Sequence, residues 1–564
     1  MGQVNTGKLA ADAPPIEGKP HVILSTQRRR MVTAGVMLGM FLGALEATVV
    51  GTAMPTIIAS LGGLDRYSWV FSAYLLTSTV TVPVWGRLSD LYGRRPLYLG
   101  SIALFLLGSV LSGSSGTITQ LIIFRAVQGI GAGGLVPLGM TINGDVYTAR
   151  ERARIQGLFS GVWGLASILG PLAGGFITDQ LNWRWVFYIN IPFGLAAAIV
   201  VAAALVEPKR SERPVIDYAG SIWLAAAVTL LLLVLVEGGS AGMLTNWVML
   251  PAAGLIVLLI AKFIRVERRA VDPMMPMSLF SNRVVAVGSL TGLFVGMGLF
   301  GSLSFVPLFV QGVLGGTATE AGSVLTPLLL GWVGLAIIGG RLMLKIGYRP
   351  TVIAGLVLLV LSFILLAGLG QHPARWVLLT DMGLMGSGMG LVILALLITT
   401  QNSVSRDQLG IATSLTMFAR MIGGAIGVAI MGAVMTIGLN SHLAVIQETS
   451  GSSADEVARV VHNPSALIEP SARAQLPPAL LQSMQGALGD ALHNVFIVST
   501  VFAALGLLSG FLLPAKDVIK IDSLEMAGGG MEGHIPHNEA ECERLLIAEM
   551  TTMDAEREEA RLDT

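Results

Sequence analysis

Four charged side chains lie inside stretches of chain that are otherwise apolar: Glu46, Arg125, Asp381 and Arg420. Charge within an apolar span is expensive, so such residues mark pathways or paired interiors. A carboxyl group held away from water is drawn toward its neutral form, and it can take a proton from one aqueous side and release it to the other. An arginine beside it stays protonated throughout, attracting the carboxylate and losing that attraction once the acid is neutralised. Glu46 with Arg125 or Arg420 is one such couple, and Asp381 with Arg420 another; spacing does not choose between them. Other chemistry has little to work with. The histidines at 21, 372, 442, 462, 493, 534 and 537 fall in loops or tails, and the single cysteine, Cys542, supports neither a disulfide framework nor a cysteine-ligated metal cluster. The spans hold no nucleophile–base pair for a membrane enzyme, and no phosphate-binding loop suggests ATP drive. Metal sites and cofactors are not expected.

The elements that must position these charges are membrane helices. Of 564 residues, 53% are hydrophobic and 12% charged, about half the charge of an ordinary soluble chain. Apolar runs of about 20 residues, enough for one bilayer crossing, recur near Met31–Ile57, Trp69–Trp85, Leu97–Ser115, Thr119–Ile142, Gly157–Thr178 and Trp185–Val206. Two follow near Ile216–Val236 and Trp247–Ile264. A last group lies near Val284–Val313, Ala321–Leu344, Thr351–Leu369, Trp376–Thr399, Gly410–Leu439 and Val495–Leu513. The expected fold is an all-α membrane protein of fourteen transmembrane helices. With 35 basic and 35 acidic residues there is no net field to attract nucleic acid. The basic residues are nonetheless sorted: Arg87, Arg94, Arg95, Arg150, Arg152, Arg154, Lys209, Arg210, Arg213, Lys262, Arg265, Arg341, Lys345 and Arg349 fall on one side of such a topology. The positive-inside rule then puts both termini in the cytoplasm of a multi-pass plasma-membrane protein.

An internal repeat divides the chain. Gly86-Arg87-Leu88-Ser89-Asp90-Leu91-Tyr92-Gly93-Arg94-Arg95-Pro96 matches Gly340-Arg341-Leu342-Met343-Leu344-Lys345-Ile346-Gly347-Tyr348-Arg349-Pro350 without a gap, and Gly129, Gly131 and Gly133 are answered by Gly386, Gly388 and Gly390. Repeated halves around a shared site are a common transporter construction. The expected organisation is a cytoplasmic tail at 1–30, a six-helix bundle at 31–206 and a two-helix insert with its flanks at 207–283. A second six-helix bundle follows at 284–514, with an outer segment at 440–493, and then an acidic cytoplasmic tail at 515–564.

Four motifs in the first half resemble those of the major facilitator superfamily, in particular its fourteen-span drug:proton antiporter branch. The loop at Gly86–Pro96 is similar to the superfamily signature between spans two and three. That resemblance implies a conformational latch of Gly86, Asp90, Gly93, Arg94 and Arg95, which the second copy lacks because Leu344 replaces the acid. Leu45-Glu46-Ala47-Thr48-Val49-Val50-Gly51-Thr52-Ala53-Met54-Pro55 is similar to a span-one pattern of the branch, with Glu46 where aspartate is usual. Arg125-Ala126-Val127-Gln128-Gly129-Ile130-Gly131 resembles the span-four arginine motif. Gly161, with Gly170, Pro171, Gly174 and Gly175, resembles the antiporter motif of span five, where small residues let helices approach closely.

The resemblance implies two six-helix halves plus the two-helix insert. It also implies a proton-coupled exporter of hydrophobic or amphiphilic small molecules, driven by the proton gradient and working by alternating access as a monomer among membrane lipids. Glu46, Arg125, Arg420 and Asp381 are the expected proton-coupling residues. Met40, Phe41, Trp163, Phe294, Met297, Phe300 and Phe305 are expected along a substrate cavity, since methionines adapt to many shapes. Asp145 and Glu320 are read as shaping a loop and capping a helix. An exporter of lipids or glycolipids on the same fold is the nearest alternative, with 440–493 guiding the product. A non-transporting receptor or scaffold is a further alternative, against which the intramembrane charges argue.

Overall fold

Apolar side chains on every face, with polar groups kept to the ends, leave the helix as the form that satisfies its own backbone in lipid. In a computed structural model helices are the regular structure among the described residues, which are 24–147, 149–206, 218–240, 249–270, 273, 275–370, 373–404, 408–449, 473–474 and 476–514. The expected tails at 1–23 and 515–564, the basic stretch at 207–217 and most of 440–493 beyond residue 449 lie outside them. The first helices are α1 (Thr26–Leu61), α2 (Tyr67–Tyr92), α3 (Arg94–Ser114), α4 (Ile118–Val146) and α5 (Ala149–Gln180). The short α6 (Trp185–Tyr188) and α7 (Asn190–Ala204) together make one apolar run. Then come α8 (Tyr218–Ser240), α9 (Met249–Glu267), α10 (Arg283–Leu308), α11 (Ala318–Ile346), α12 (Tyr348–Ala367), α13 (Arg375–Asn402) and α14 (Leu409–Thr449); α15 (Pro478–Phe511) ends the described chain. Among the described residues ten helical runs are long and apolar enough to cross a membrane.

Two boundaries differ most from expectation. The last helix begins at Pro478, not near Val495, because Pro477 and Pro478 supply a rigid start and the residues that follow are amphipathic, not polar. Helix α14 likewise runs on to Thr449, so the expected outer segment is entered by helix from both sides. At the start of α11, Thr317 and Glu320 form a reciprocal capping box, which satisfies two amide donors that the first turn would otherwise leave open.

Successive long helices alternate in direction, α6 and α7 counting as one, which gives the bundle two ends. The terminal end carries the starts of α1, α3, α10 and α12: Thr33 meets Tyr147 at 2.6 Å, Asn282 reaches the Ser403 carbonyl at 2.6 Å, and Arg283 reaches that of Leu512 at 3.1 Å. The far end carries the α1–α2 turn and the starts of α4 and α11. Helices α1 to α7 pack chiefly on one another, as do α10 to α15, and the groups meet along two seams, α5 on α11 and α2 on α14. The α8–α9 pair lies over the second seam, with α8 against both α2 and α14.

The halves repeat in three dimensions. A methyl group on Gly129 would overlap the Tyr74 carbonyl, and one on Gly133 that of Ser78; in the second half Gly386 abuts the Leu328 carbonyl and Gly390 that of Trp332. The register that maps Gly86 onto Gly340 also maps Tyr74 onto Leu328 and Ser78 onto Trp332. Gly93 and Gly347, equivalent in that register, both take positive φ, 96° and 87°, a conformation that glycine enters without steric cost.

Candidate functional site

Glu46 lies near the middle of α1 and is 0% exposed. Its Oε1 accepts from Arg125 Nη1 of α4, and its Oε2 accepts from Asn190 Nδ2 at the start of α7 at 2.7 Å. Arg125 Nη1 also donates to Gln128 Oε1 at 2.7 Å, while its guanidinium stacks 4.1 Å from the centre of the Tyr74 ring. Ser109 of α3 accepts from Gln128 at 3.3 Å and from Asn190 at 2.9 Å, and donates to the Phe187 carbonyl at 2.8 Å. Glu46, Arg125, Gln128, Ser109 and Asn190 therefore close a buried ring across four helices. A buried ion pair is tolerable only when further hydrogen bonds offset its desolvation, and the ring supplies them.

A cavity of about 30 Å³ adjoins this ring, enough for a water molecule. Glu46, Val50, Tyr74 and Arg125 line it from the first half, and Phe300, Leu303 and Ser304 of α10 from the second. The acid thus faces the boundary between the halves.

The other expected residues are distributed as follows. Arg420 of α14 forms no ion pair with Glu46 or Asp381; its backbone packs against Gly296 of α10. Asp381 is buried between α12 and α13, where Ser362 donates to its Oδ1 at 2.7 Å. Of the expected cavity residues whose side chains are described, Phe300 lines the cavity beside Glu46 and the others do not. Met40 is packed in the first-half core beside Gly139, and Phe41 meets Phe193 edge-on at 5.5 Å. Phe294 packs near Gly506, Met297 on Gly427, and Phe305 against Tyr67. The side chains of Asp90 and Trp163 lie outside those described.

At the terminal end, Arg94 pairs with Asp145 at 3.2 Å and with Ser89 Oγ at 2.5 Å, and Arg95 donates to the Ala202 carbonyl at 2.5 Å. Asp145 does more than shape a loop: it is an acid partner of the signature arginine. Gly93 supplies the turn with its positive φ, whereas Gly86 lies within α2 and takes no part in it.

Along α5, Gly170 and Gly174 lie against Thr48 and Thr52 of α1, while Gly175 faces Ala318 and Thr319 of α11 and the Pro171 carbonyl faces Gly322. Gly161, at the other end of the motif, has nothing within 4 Å of where a side chain would begin. The motif therefore wedges α5 between the halves near the far end. Further hydrogen bonds join the halves there: Asp179 accepts from the amides of Ala318 (3.2 Å) and Thr319 (2.8 Å) and from the Thr319 hydroxyl (2.5 Å). Gln311, on the π-turn after α10, donates to the Thr52 carbonyl at 2.8 Å and accepts from Thr56 at 3.0 Å, and Tyr67 donates to the Ser304 carbonyl at 2.5 Å.

Sequence reasoning assigned no role to Asn190, Ser109, Gln128 or Tyr74. Gln128 stood within the arginine motif. A lone asparagine within the apolar run Trp185–Val206 was the signal for Asn190.

The profile of the Major Facilitator Superfamily matches residues 36–428. The chain is 39% identical over 508 residues to the multidrug transporter protein MdtP of Bacillus subtilis (strain 168), covering 87% of this chain and 94% of the relative. It is 34% identical over 477 residues to multidrug resistance protein 3 of the same organism, covering 84% and 92%. Among solved structures, a bacterial homolog of the human lysosomal transporter Spinster in an inward-facing, unoccupied conformation superposes with a TM-score of 0.62 at 17% identity, over 87% of this chain and 98% of that one. With that fold and those motifs in place, the chain belongs to the Major Facilitator Superfamily.

Proposed function

We propose that this transporter is a proton-coupled antiporter that exports hydrophobic or amphiphilic small molecules by alternating access. The observation that carries the reading is the buried Glu46–Arg125 pair at a cavity lined from both halves. Protonation of Glu46 removes the charge that holds Arg125. The newly unpaired guanidinium then favours a rearrangement of the first half against the second. One proton moving down 100 mV supplies about 2.3 kcal/mol, enough to move a two-state population roughly fiftyfold at 1.4 kcal/mol per decade. Arg420 and Asp381 contribute the second half's intramembrane charge. Relatives named for multidrug transport and resistance support an amphiphilic cargo, and Phe300 offers it an aromatic wall.

In this reading α2, α5, α8 and α9 join the ten long apolar runs to make fourteen crossings: two six-helix halves and the α8–α9 insert. The terminal end, with Arg94, Arg95, Arg283, Arg341 and Arg349, faces the cytoplasm of the plasma membrane, and the far end faces outward. The ties through Asp179, Gln311 and Tyr67 then describe a state closed to the outside. The terminal-end pairing of Arg94 with Asp145 acts as the latch of the opposite state change. The unit of function is the monomer.

The test is proton movement: adding ethidium to purified protein is expected to release protons in proportion to the dye bound, and dye transport in proteoliposomes is expected to move protons the opposite way. Dye transport with no proton movement in the opposite direction would remove the antiport reading.

A further inference from the structure

We propose that Asn190 is a positioning residue for proton exchange at Glu46, its side-chain amide serving the carboxylate through Nδ2 and the protonated acid through Oδ1. The inference rests on the antiport reading above and extends it to a residue outside the recognised motifs. It starts from the donor and acceptor balance of the buried ring. Glu46 Oε1 faces a guanidinium, which has donors only, so a proton placed on Oε1 would oppose the Arg125 N–H groups. Oε2 faces Asn190 at 2.7 Å, and Asn190 alone among the groups hydrogen-bonded to Glu46 carries both a donor and an acceptor. Its Oδ1 is buried and has no hydrogen-bond partner in this state. That acceptor is what a protonated Oε2 requires.

The step balances simply. A proton arriving from solution bonds to Oε2, the Asn190 amide turns over, and the new O–H donates to Oδ1. Ser109 loses the donor from Asn190 but keeps the one from Gln128 and its own bond to the Phe187 carbonyl. Arg125 keeps Gln128 and the Tyr74 face. Among the described residues, the charged or titratable groups facing Glu46 are Arg125 of α4 and Tyr74 of α2; α3, α7 and α10 present the neutral Ser109, Asn190 and Ser304. Asn190 opens α7 directly after the α6 turn, so rotation of its amide is sensed where the sixth span is already interrupted.

The experiment compares parent, Asn190→Leu, Ser112→Ala and Glu46→Gln in ethidium-loaded proteoliposomes while the external pH is varied, after thermal melting shows each to be folded. Leucine removes a charge-assisted bond from the carboxylate and a weaker neutral bond from the acid, so the pH of half-maximal gradient-driven transport is expected to rise by about one unit. Ser112→Ala removes a buried α3 hydroxyl that bonds to no member of the ring and is expected to hold the parental midpoint within about 0.3 units. A parental midpoint in Asn190→Leu, with Glu46→Gln uncoupled, overturns the role of Asn190 and leaves the antiport reading standing. An equal shift in Ser112→Ala also overturns it, since any change on α3 beside the ring would then suffice. Gradient-driven transport in Glu46→Gln removes both. If Asn190→Leu does not fold, infrared difference spectra of the parent labelled with ¹³C-amide asparagine decide instead. An asparagine carbonyl band that shifts on acidification, and does so no longer in Glu46→Gln, is expected; no such shift in the parent overturns the proposal.

Discussion

Replacing Asp179 with alanine is expected to open the far end of the bundle without touching the buried site. Asp179, an exposed residue of α5, takes the first two amides of α11 and the Thr319 hydroxyl from the opposite half. A side chain capping a helix start contributes about 0.5–2 kcal/mol. The attraction of a carboxylate to the helix dipole, about 0.3–1 kcal/mol, overlaps that figure and does not simply add. In the open state water replaces these bonds, so the net bias toward closure is about 1.5 kcal/mol, and the ratio of closed to open molecules should fall about tenfold. Gln311 and Tyr67 still join the halves in the variant, so the far end should populate both states. The assay is double electron–electron resonance with Cys542 replaced and labels at Leu181 and Trp376, both well exposed and on opposite halves. Asp179→Ala should gain a second, longer distance at a fraction several times that of the parent. Thr319→Val, which removes only the hydroxyl and leaves both α11 amides on Asp179, should change the ratio less than Asp179→Ala does. A distance distribution in Asp179→Ala identical to the parent's would refute this account of closure.

Gly129→Ala should lower the melting temperature in detergent, since overpacking against the Tyr74 carbonyl costs about 1–3 kcal/mol; Gly161→Ala, with open space around it, should hold or raise it. Asp381→Asn should retain more than about half of parental gradient-driven ethidium transport. The amide can still accept from Ser362, and Asp381 does not line the cavity beside Glu46. A loss comparable to that of Glu46→Gln would make Asp381 part of the coupling path.

Much of the architecture was legible because lipid leaves the backbone little choice. Apolar runs of bilayer length become helices, the repeated loop marks two related halves, and a glycine ladder such as Gly129–Gly133 signals close helix contact. The partner of Glu46 was not legible. Arg125 and Arg420 are both arginines within apolar spans, and the choice depends on which faces of α4 and α14 turn toward α1. A helix that is apolar all round gives no such orientation. The same blindness explains why Phe300 lines the cavity while Met40 and Phe41 pack within the first half. Asn190 and Ser109 escaped notice because neutral polar residues in apolar spans often bond to their own helix, as Thr291 and Ser499 do. Asp145 was underrated because it lies well past Arg94 in sequence and meets it only through the packing of α3 on α4.

The central claim, that Glu46 is the acid through which the proton gradient drives export, is tested most directly by Glu46→Gln in proteoliposomes. Glutamine can still accept from Arg125 and keeps the side chain's size, so substrate exchange between equal ethidium concentrations should persist without a gradient. Accumulation of ethidium against its own gradient, driven by an imposed pH difference, should fall to the level of protein-free vesicles. Undiminished pH-driven accumulation in the folded variant would contradict the account.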